Sequence, residues 1–380
     1  MMNNIGIYVH IPFCKSKCGY CDFYSGCDLS KAERYINALL LQFDALKDLI
    51  SNRSVDTVYI GGGTPTAIGD DLLIRVIDRL YDRFAISDEV EFTIEANPGT
   101  VDENALRRYR ASGVNRISFG VQSANDALLR RIGRIHTFAE ARDAIISAHR
   151  AGFDNISADL MYALPDHTKY DLIHSIELLS DLPITHLSMY GLKVEENTPF
   201  GRDRSLVLPD EDEQCEMYLD GVQTLANKGF YQYEISNFAK QGRESKHNLK
   251  YWKCEEYLGF GVAAHSFIAG ARFYIPRCID QFCAESHLPF PSSLYCIESL
   301  SDRDRLEELI LLSLRTTSGI RLTTLFSILS EKKRAAAEKY LQALIGADLG
   351  RSANGSFSLT PSGMLLSNSI ISDLLLYLDE

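Results

Sequence analysis

Apolar and polar positions alternate with two different periods over the first two-thirds of the chain. Ile36, Leu39 and Phe43 recur at the spacing of one helix face. Ser30 and Glu33 precede them as a Ser-x-x-Glu capping box, which predicts a helix start. Short β-branched and apolar runs predict six strands, at residues 5–9, 57–60, 90–95, 116–122, 156–162 and 186–192. Further helices are predicted at 70–84, 103–111 and 170–179.

This order of elements predicts an α/β fold with a parallel sheet. Right-handed crossovers would close the sheet into a full or partial barrel. Functional side chains of such folds gather where the strands end. Residues 61–66, Glu95, Gln122, Asp159 and Tyr190 lie at predicted strand ends. A glycine or proline there also serves as a simple chain turn, and it is the shared rim position that favours a functional site.

The remainder of the chain has a different pattern. Residues 201–300 are less regular, whereas 301–380 contain helical stretches at 322–345 and 364–378. Asn354-Gly355 separates two short strand-like runs, which is a strong hairpin signal. We therefore predict three parts: a barrel core at 1–200, a barrel extension at 201–300, and a small winged-helix-like α+β domain at 301–380. That last part carries nine bases and ten acids, so a packing role is favoured over DNA reading.

Composition narrows the possible partners. The chain has 380 residues and a formal net charge of −12, which does not favour nucleic acid as a partner. It contains no apolar run long enough for a membrane span and no secretory signal pattern. The nine cysteines are an odd number, and four of them fall within fourteen residues. This usage predicts a metal site in a reducing cytoplasm rather than a disulfide framework.

The sharpest motif is Cys-x3-Cys-x2-Cys, formed by Cys14, Cys18 and Cys21. Three thiolates can hold a four-iron cluster and leave one iron open to a small molecule, such as the amino and carboxylate groups of S-adenosylmethionine. A zinc site with Cys27 as a fourth ligand is one alternative, and a set of buried structural cysteines is another. The polar residues at 15–17 argue against burial. The sequence therefore favours a [4Fe-4S] cluster.

The triplet resembles the radical S-adenosylmethionine (radical SAM) superfamily, and the resemblance covers essentially the whole chain. It implies a partial (β/α)6 barrel, with the cluster bound by the three cysteines. It also implies that the Gly-rich strand end holds the methionine amino group of S-adenosylmethionine, and that further side chains contact its ribose, carboxylate and adenine. The implied cofactor-binding residues are Tyr8, Tyr20, Gly62, Gly63, Thr64, Glu95, Gln122, Arg134 and Asp159. Ordinary surface salt bridges are the alternative for the charged members of this set.

Within the superfamily the chain resembles the oxygen-independent coproporphyrinogen III oxidase family, and there most of all the branch of HemW-type heme chaperones. Phe23 stands where the oxidases have an additional cysteine, and Cys14 lies almost at the start, without their long N-terminal extension. His247-Asn-x-x-Tyr-Trp252 resembles a motif of the heme-chaperone branch. His247 is therefore a candidate heme ligand, with a core histidine as the equal alternative, whereas a structural role is favoured for His265.

Two functions follow as hypotheses. The first is a heme chaperone that carries the [4Fe-4S] cluster with S-adenosylmethionine and delivers heme to respiratory or other heme proteins. The second is a coproporphyrinogen III dehydrogenase that decarboxylates propionate side chains by radical chemistry, so enzymatic activity stays open. The resemblance also suggests a homodimer and peripheral membrane contact of a cytoplasmic protein. No role is assigned to the remaining cysteines, Cys27, Cys215, Cys254, Cys278, Cys283 and Cys296.

Overall fold

The computed structural model describes residues 4–327 and 329–378. Its central feature is a run of six parallel strands joined by helices. Strands β1 to β6 are Asn4–Ile11, Ser54–Gly62, Ile86–Ala96, Arg116–Gln122, Ile156–Tyr162 and His186–Gly191. Helices α1 to α6 are Ala32–Leu46, Asp70–Arg83, Glu103–Ala111, Asp126–Arg131, Phe138–Arg150 and Lys169–Ser180. The predicted α/β class is confirmed, and the six strands lie where the sequence placed them.

Alternation along each strand separates two environments. In β4, Ile117 and Phe119 belong to the apolar core, whereas Arg116 and Ser118 line an internal cavity. Strand β3 follows the same rule, with Phe92 in the core. The helices therefore cover an apolar outer face of the sheet, as expected for βαβ units. The inner face is left polar and open, which makes the barrel interior available for chemistry.

Further elements continue the sheet at both edges, so the barrel stays partial. The strand order is β12-β11-β10-β9-β1-β2-β3-β4-β5-β6-β8-β7. Strands β7 to β12 are Tyr231–Gln232, Asn237–Ala239, Tyr257–Phe260, His265–Ile268, Ala271–Tyr274 and Cys296–Ser299. Helices α7 to α10 are Pro199–Arg202, Glu211–Asn227, Lys246–Trp252 and Ile279–Glu285. Strand β9 is parallel to β1, whereas β10 to β12 pair antiparallel and form an extension sheet beside it.

The C-terminal part is the expected small α+β unit. Helices α11 to α15 are Asp302–Ser313, Leu322–Phe326, Glu331–Gly346, Pro361–Leu365 and Ser367–Leu375. Strands β13 to β15 are Ile320–Arg321, Gly350–Ala353 and Ser356–Leu359, in the order β13-β15-β14. Asn354 and Gly355 have φ of 52° and 76°, the positive values that a tight hairpin turn requires, and the hairpin prediction is confirmed.

Three local predictions were wrong. Ser30 does not cap α1: its backbone N–H donates to Asp28, a 3₁₀ turn follows, and the helix begins at Ala32 without a side-chain cap. The long helices predicted at 322–345 and 364–378 are each divided in two, with breaks after Phe326 and at Leu366.

Among the described residues, none of the helices is long and apolar enough to cross a bilayer.

Helix α1 is anchored to the sheet by Phe43, and this contact is testable. Its ring is fully buried and packs edge-on against Phe84 and Phe260, with centroid distances of 6.0 and 4.7 Å. Phe43→Ala should cost about 3–5 kcal/mol, because the cavity it leaves adds to the lost burial. Differential scanning calorimetry should show a clearly lower Tm. Leu41→Ala, on the exposed side of the same helix, is the matched control, and an equal Tm loss there would contradict this account.

Candidate functional site

A cavity of about 580 Å³ opens at the carboxyl ends of the strands. All three motif cysteines line it, together with eight of the nine predicted cofactor-binding residues: Tyr20, Gly62, Gly63, Thr64, Glu95, Gln122, Arg134 and Asp159. Tyr8 is not among the lining residues. Residues scattered over 146 positions of the sequence therefore meet in one place, because parallel strands bring their ends to the same rim.

The cysteines lie on a loop that is closed at its base. Phe13 forms a parallel bridge with Gly26, and the Cys14 N–H donates to the Gly26 carbonyl at 2.9 Å. Within the loop the Cys21 N–H donates to the Cys18 carbonyl at 3.3 Å. Cys14 and Cys18 are buried, Cys21 is half-buried, and all are free of disulfides. The loop thus presents three sulfurs to one cavity wall.

The chemistry of these sulfurs fits an iron–sulfur cluster. Burial raises the pKa of Cys14 and of Cys21, and neighbouring cysteines add to both shifts. Three thiolates so close together need compensating positive charge, which iron would supply. No three His, Cys, Asp or Glu side chains in residues 4–327 and 329–378 have the spacing to hold a single ion. Cluster cysteines bind separate irons, so they do not need that spacing.

The Gly-rich end of β2 packs directly against this loop. The Gly63 N–H donates to the Ile11 carbonyl at 2.9 Å, and the Thr64 N–H donates to the Phe13 carbonyl at 2.7 Å. The Thr64 hydroxyl lies 3.6 Å from the Cys14 sulfur. A Cβ on Gly63 would come within 2.6 Å of the Phe13 carbonyl oxygen and 2.9 Å of that sulfur. Only glycine permits this approach, so the motif is a packing requirement of the cluster loop.

Arg134 joins the loop to the barrel rim. Its guanidinium donates to the Gly120 carbonyl at 2.6 Å and to Asn97 at 3.2 Å, and it lies 3.6 Å from the Cys18 sulfur. Its Nε is buried without a partner in the protein. An unmatched buried donor is costly, and an anionic ligand in the cavity would satisfy it. The free Nε–H of Arg134 is the donor that the predicted contact with the carboxylate of S-adenosylmethionine requires.

Two buried carboxylates face the cavity from β3 and β5. Glu95 accepts a hydrogen bond from the Tyr59 hydroxyl at 2.8 Å and from the Gly62 N–H at 3.1 Å. Desolvation raises its pKa to about 7, with the Asp159 charge as a further cause. Burial also raises the pKa of Asp159, which accepts from the Ser118 hydroxyl at 3.2 Å. Both can accept hydrogen bonds from sugar hydroxyls, and neither is a surface salt bridge.

Gln122 reaches the cavity through a backbone irregularity. The register of β4 against β5 shifts between Gly120 and Gln122, and Gln122 has φ of 73°. Such a bulge re-aims a side chain at the end of a strand, and positive φ is uncommon for a residue other than glycine. Gln122 lines the cavity together with Arg116 and Ser118, which lie an even number of positions before it in β4. Alternation alone, which made Gln122 a strand-end candidate, does not reveal this strain.

Sequence reasoning assigned no role to His10 or Arg116. The Tyr8 hydroxyl lies 2.9 Å from Nδ1 of His10, whose Nε2–H donates to the Tyr24 carbonyl at 2.9 Å. Tyr8 therefore does not line the cavity itself. Its hydroxyl contacts His10, which is hydrogen-bonded to the cluster loop. Arg116 is 2% exposed, lines the cavity floor and leaves its Nε unpartnered. The signal for Arg116 was a charged residue at the start of a strand that is buried along its whole length.

The structure supports the core alternative for His247. Its ring is completely buried, Nδ1 lies 2.9 Å from the Thr57 hydroxyl, and Nε2 lies 2.8 Å from the Tyr251 hydroxyl. Both nitrogens are thus occupied, and heme ligation by His247 has no support in this geometry. Its neighbour Asn248 does line the cavity. The side chain of His265, for which the sequence favours a structural role, is exposed.

Comparison with known proteins places the chain in a family. The model of the radical SAM superfamily matches residues 8–179, and that of the HemN C-terminal domain matches residues 300–366. The Bacillus subtilis heme chaperone HemW is 36% identical over 96% of this chain and 97% of its own length. The Escherichia coli heme chaperone HemW is 39% identical over 69% of each chain, and that of Mycobacterium tuberculosis H37Rv is 31% identical over 97% and 94%.

The chain belongs to the HemW family of radical SAM proteins. The solved structure of coproporphyrinogen III oxidase (HemN) from Escherichia coli superposes with a TM-score of 0.84, covering 98% of this chain and 90% of that one. At 22% identity this match shows the shared fold alone. Membership of the superfamily implies a [4Fe-4S] cluster and S-adenosylmethionine as cofactors of this HemW-family chain, in agreement with the motif analysis.

The packing at Gly63 can be tested against a control glycine, Gly26, at the base of the cluster loop. Gly63→Ala should displace the Cys14 segment and prevent cluster assembly, because its Cβ has no room. A Cβ on Gly26 would meet nothing within 4 Å, so Gly26→Ala is the control. After anaerobic reconstitution, iron and sulfide content and visible absorbance should fall at least severalfold in the first variant only. Equal cluster content in both, with unchanged circular dichroism, would contradict the packing argument.

Proposed function

We propose that this protein is a heme chaperone of the HemW type, which binds heme and delivers it to acceptor proteins. The observation that carries the proposal is the near-full-length similarity to proteins named heme chaperone HemW in Bacillus and Mycobacterium. An exposed aromatic side chain at the oxidase-specific cysteine position agrees with it, since Phe23 is 71% exposed at the cavity mouth and cannot ligate iron. The dehydrogenase alternative has no comparable support.

We assign the cluster to Cys14, Cys18 and Cys21, which share one cavity wall. S-adenosylmethionine would lie beside it, against the Gly-rich strand end and the polar rim of the barrel. The residues proposed to contact it are Tyr20, Gly62, Gly63, Thr64, Glu95, Gln122, Arg134 and Asp159, with Tyr8 supporting the cluster loop. When bound, the cluster supplies single electrons to S-adenosylmethionine. The protein supplies the binding contacts that orient both groups.

The remaining expectations stay predictions. They include respiratory heme proteins as acceptors, a cytoplasmic location, a homodimer and peripheral membrane contact. The division at residues 1–200, 201–300 and 301–380 is likewise proposed, with the α+β unit that begins at α11 as the last part. A formal net charge of −12 supports partners other than nucleic acid.

The proposed role of Glu95 predicts a pH dependence. Its pKa of about 7 means that the carboxylate is mostly protonated below that pH and ionised above it. Ionised oxygens accept hydrogen bonds from ribose hydroxyls more strongly, so affinity for S-adenosylmethionine should rise severalfold as pH increases through about 7. Calorimetric titration of the cluster-loaded protein measures this. Glu95→Gln should bind more weakly with a flat profile around that pH, and an unchanged profile in this variant would exclude Glu95 as the titrating group.

The function itself is tested with hemin and with coproporphyrinogen III. The purified cluster-loaded chain should bind hemin with a shifted Soret band and pass it to a heme-free b-type cytochrome. The same preparation, anaerobic and reduced with S-adenosylmethionine present, should not convert coproporphyrinogen III to a vinyl product. Chromatographic detection of that product would establish coproporphyrinogen III dehydrogenase activity. Absence of hemin binding would remove the chaperone proposal.

A further inference from the structure

Strands β10–β12, which extend the sheet beyond β9, carry a row of three side chains of types that can bind heme iron. His265 is the first residue of β10, Tyr274 is the last of β11, and Cys296 is the first of β12. The strand register pairs His265 with Tyr274 and Tyr274 with Cys296. Paired residues of neighbouring strands project to the same side of a sheet, so the three form one lateral row. Imidazole, phenolate and thiolate are the protein groups that commonly bind heme iron.

This row faces outward, whereas the opposite face of the sheet is packed. Ser266 and Phe273, which alternate with the row, are 1% and 3% exposed, and the Phe273 ring packs against Phe290 with centroids 4.4 Å apart. His265 is exposed, and Tyr274 is 37% exposed. Their rings lie nearly parallel, with centroids 5.0 Å apart and an interplanar angle of 24°. The stack holds the imidazole in a defined orientation while its edge stays open to a ligand.

Hydrogen bonding also distinguishes His265 from three of the buried histidines. Each ring nitrogen of His10, of His186 and of His247 is already hydrogen-bonded. Neither ring nitrogen of His265 is hydrogen-bonded to another residue of the described part of the chain. Partial desolvation and the guanidinium groups of Arg272 and Arg277 lower the pKa of His265, which keeps a lone pair available at neutral pH.

The row lies at the same rim as the cluster loop. Strand β9 runs parallel to β1 and β10 runs back antiparallel, so β10 begins at the end of the sheet where β1 enters the loop. Arg277 follows Tyr274 by three residues and lines the cofactor cavity. The exposed histidine and the cavity are thus adjoining parts of one surface.

Positive charge is available beside the row. Arg272 is engaged with Glu308, whereas Arg277 is exposed and forms no ion pair with another residue in the described ranges. A free guanidinium next to an exposed imidazole matches a planar iron macrocycle that carries two carboxylates. The positive charge of Arg277 would repel a bare metal ion, and an apolar partner would make no specific bond to the imidazole. Heme would use both groups, because its iron binds imidazole and its carboxylates pair with a guanidinium.

We propose that the outer face of β10–β12 is the heme-binding site, with His265 as the axial iron ligand, Tyr274 as the ring that orients it, and Arg277 as the partner of a heme propionate. This inference rests on the proposed chaperone function and gives it a location. It places heme on an open edge of the sheet, from which transfer to another protein needs no unfolding. It also leaves His247 with its structural role between Thr57 and Tyr251.

Hemin titration of the full chain tests the site. His265→Ala should weaken hemin binding at least about tenfold, remove the Soret shift of the histidine-ligated form, and recover that shift when free imidazole is added. The matched control is His174→Ala, because His174 is also exposed and stacked on a tyrosine, Tyr170, at 5.6 Å and 10°. That variant should bind hemin like the unmodified protein. Circular dichroism and Tm establish that both are folded.

A second variant tests the propionate contact. Arg277→Ala should bind hemin several times more weakly, and it should no longer distinguish hemin from hemin dimethyl ester, which the unmodified protein should bind more weakly than hemin. Unchanged spectra and affinity in His265→Ala, with hemin still bound by the unmodified protein, would overturn the proposed site and leave the chaperone function standing. No hemin binding by the unmodified protein would instead remove the proposed function.

Discussion

The backbone contact between the end of β2 and the cluster loop is the constraint on which the site depends. Gly63 and Thr64 donate to carbonyls on either side of Pro12, at 2.9 and 2.7 Å, and so continue the β1–β2 pairing past the end of the strands. This extra pairing fixes the direction in which the chain leaves the barrel. Cys14 then follows at a defined place, and the Thr64 hydroxyl lies beside its sulfur. The rest of the cluster loop is built outward from this point.

Beside the cluster loop, the interior of the barrel is lined by charged side chains. Arg134 lies next to a cluster cysteine, Glu95 and Asp159 lie on the neighbouring strands, and Arg116 lies on the floor. Buried charged groups lower the stability of the fold unless they form ion pairs or hydrogen bonds with each other or with a ligand. The unpartnered Nε atoms of Arg116 and Arg134 show that the protein alone does not complete them. The polar interior is therefore a binding surface, and stability comes from the apolar outer face beneath the helices.

How much of this was predictable depends on how local the signal is. Strand β4 and the Asn354-Gly355 hairpin were predicted correctly, because alternation and turn chemistry act within a few residues. The Ser30 cap was wrong, because Asp28 competes for the same turn and tertiary packing sets the helix start. Strain at Gln122 depends on a register shift between two strands, which no single segment reveals.

Burial of histidines was the least predictable property, since it is decided by long-range packing. His247 lies in a distinctive sequence motif, yet Glu91 from β3 accepts from its backbone N–H at 3.0 Å and the ring is enclosed by Thr57 and Tyr251. The motif thus fastens a short helix to the barrel wall. His265 has an ordinary sequence context and is the one left open at the rim. The motif at His247 therefore has a packing role, whereas the ring of His265 stays accessible to a ligand.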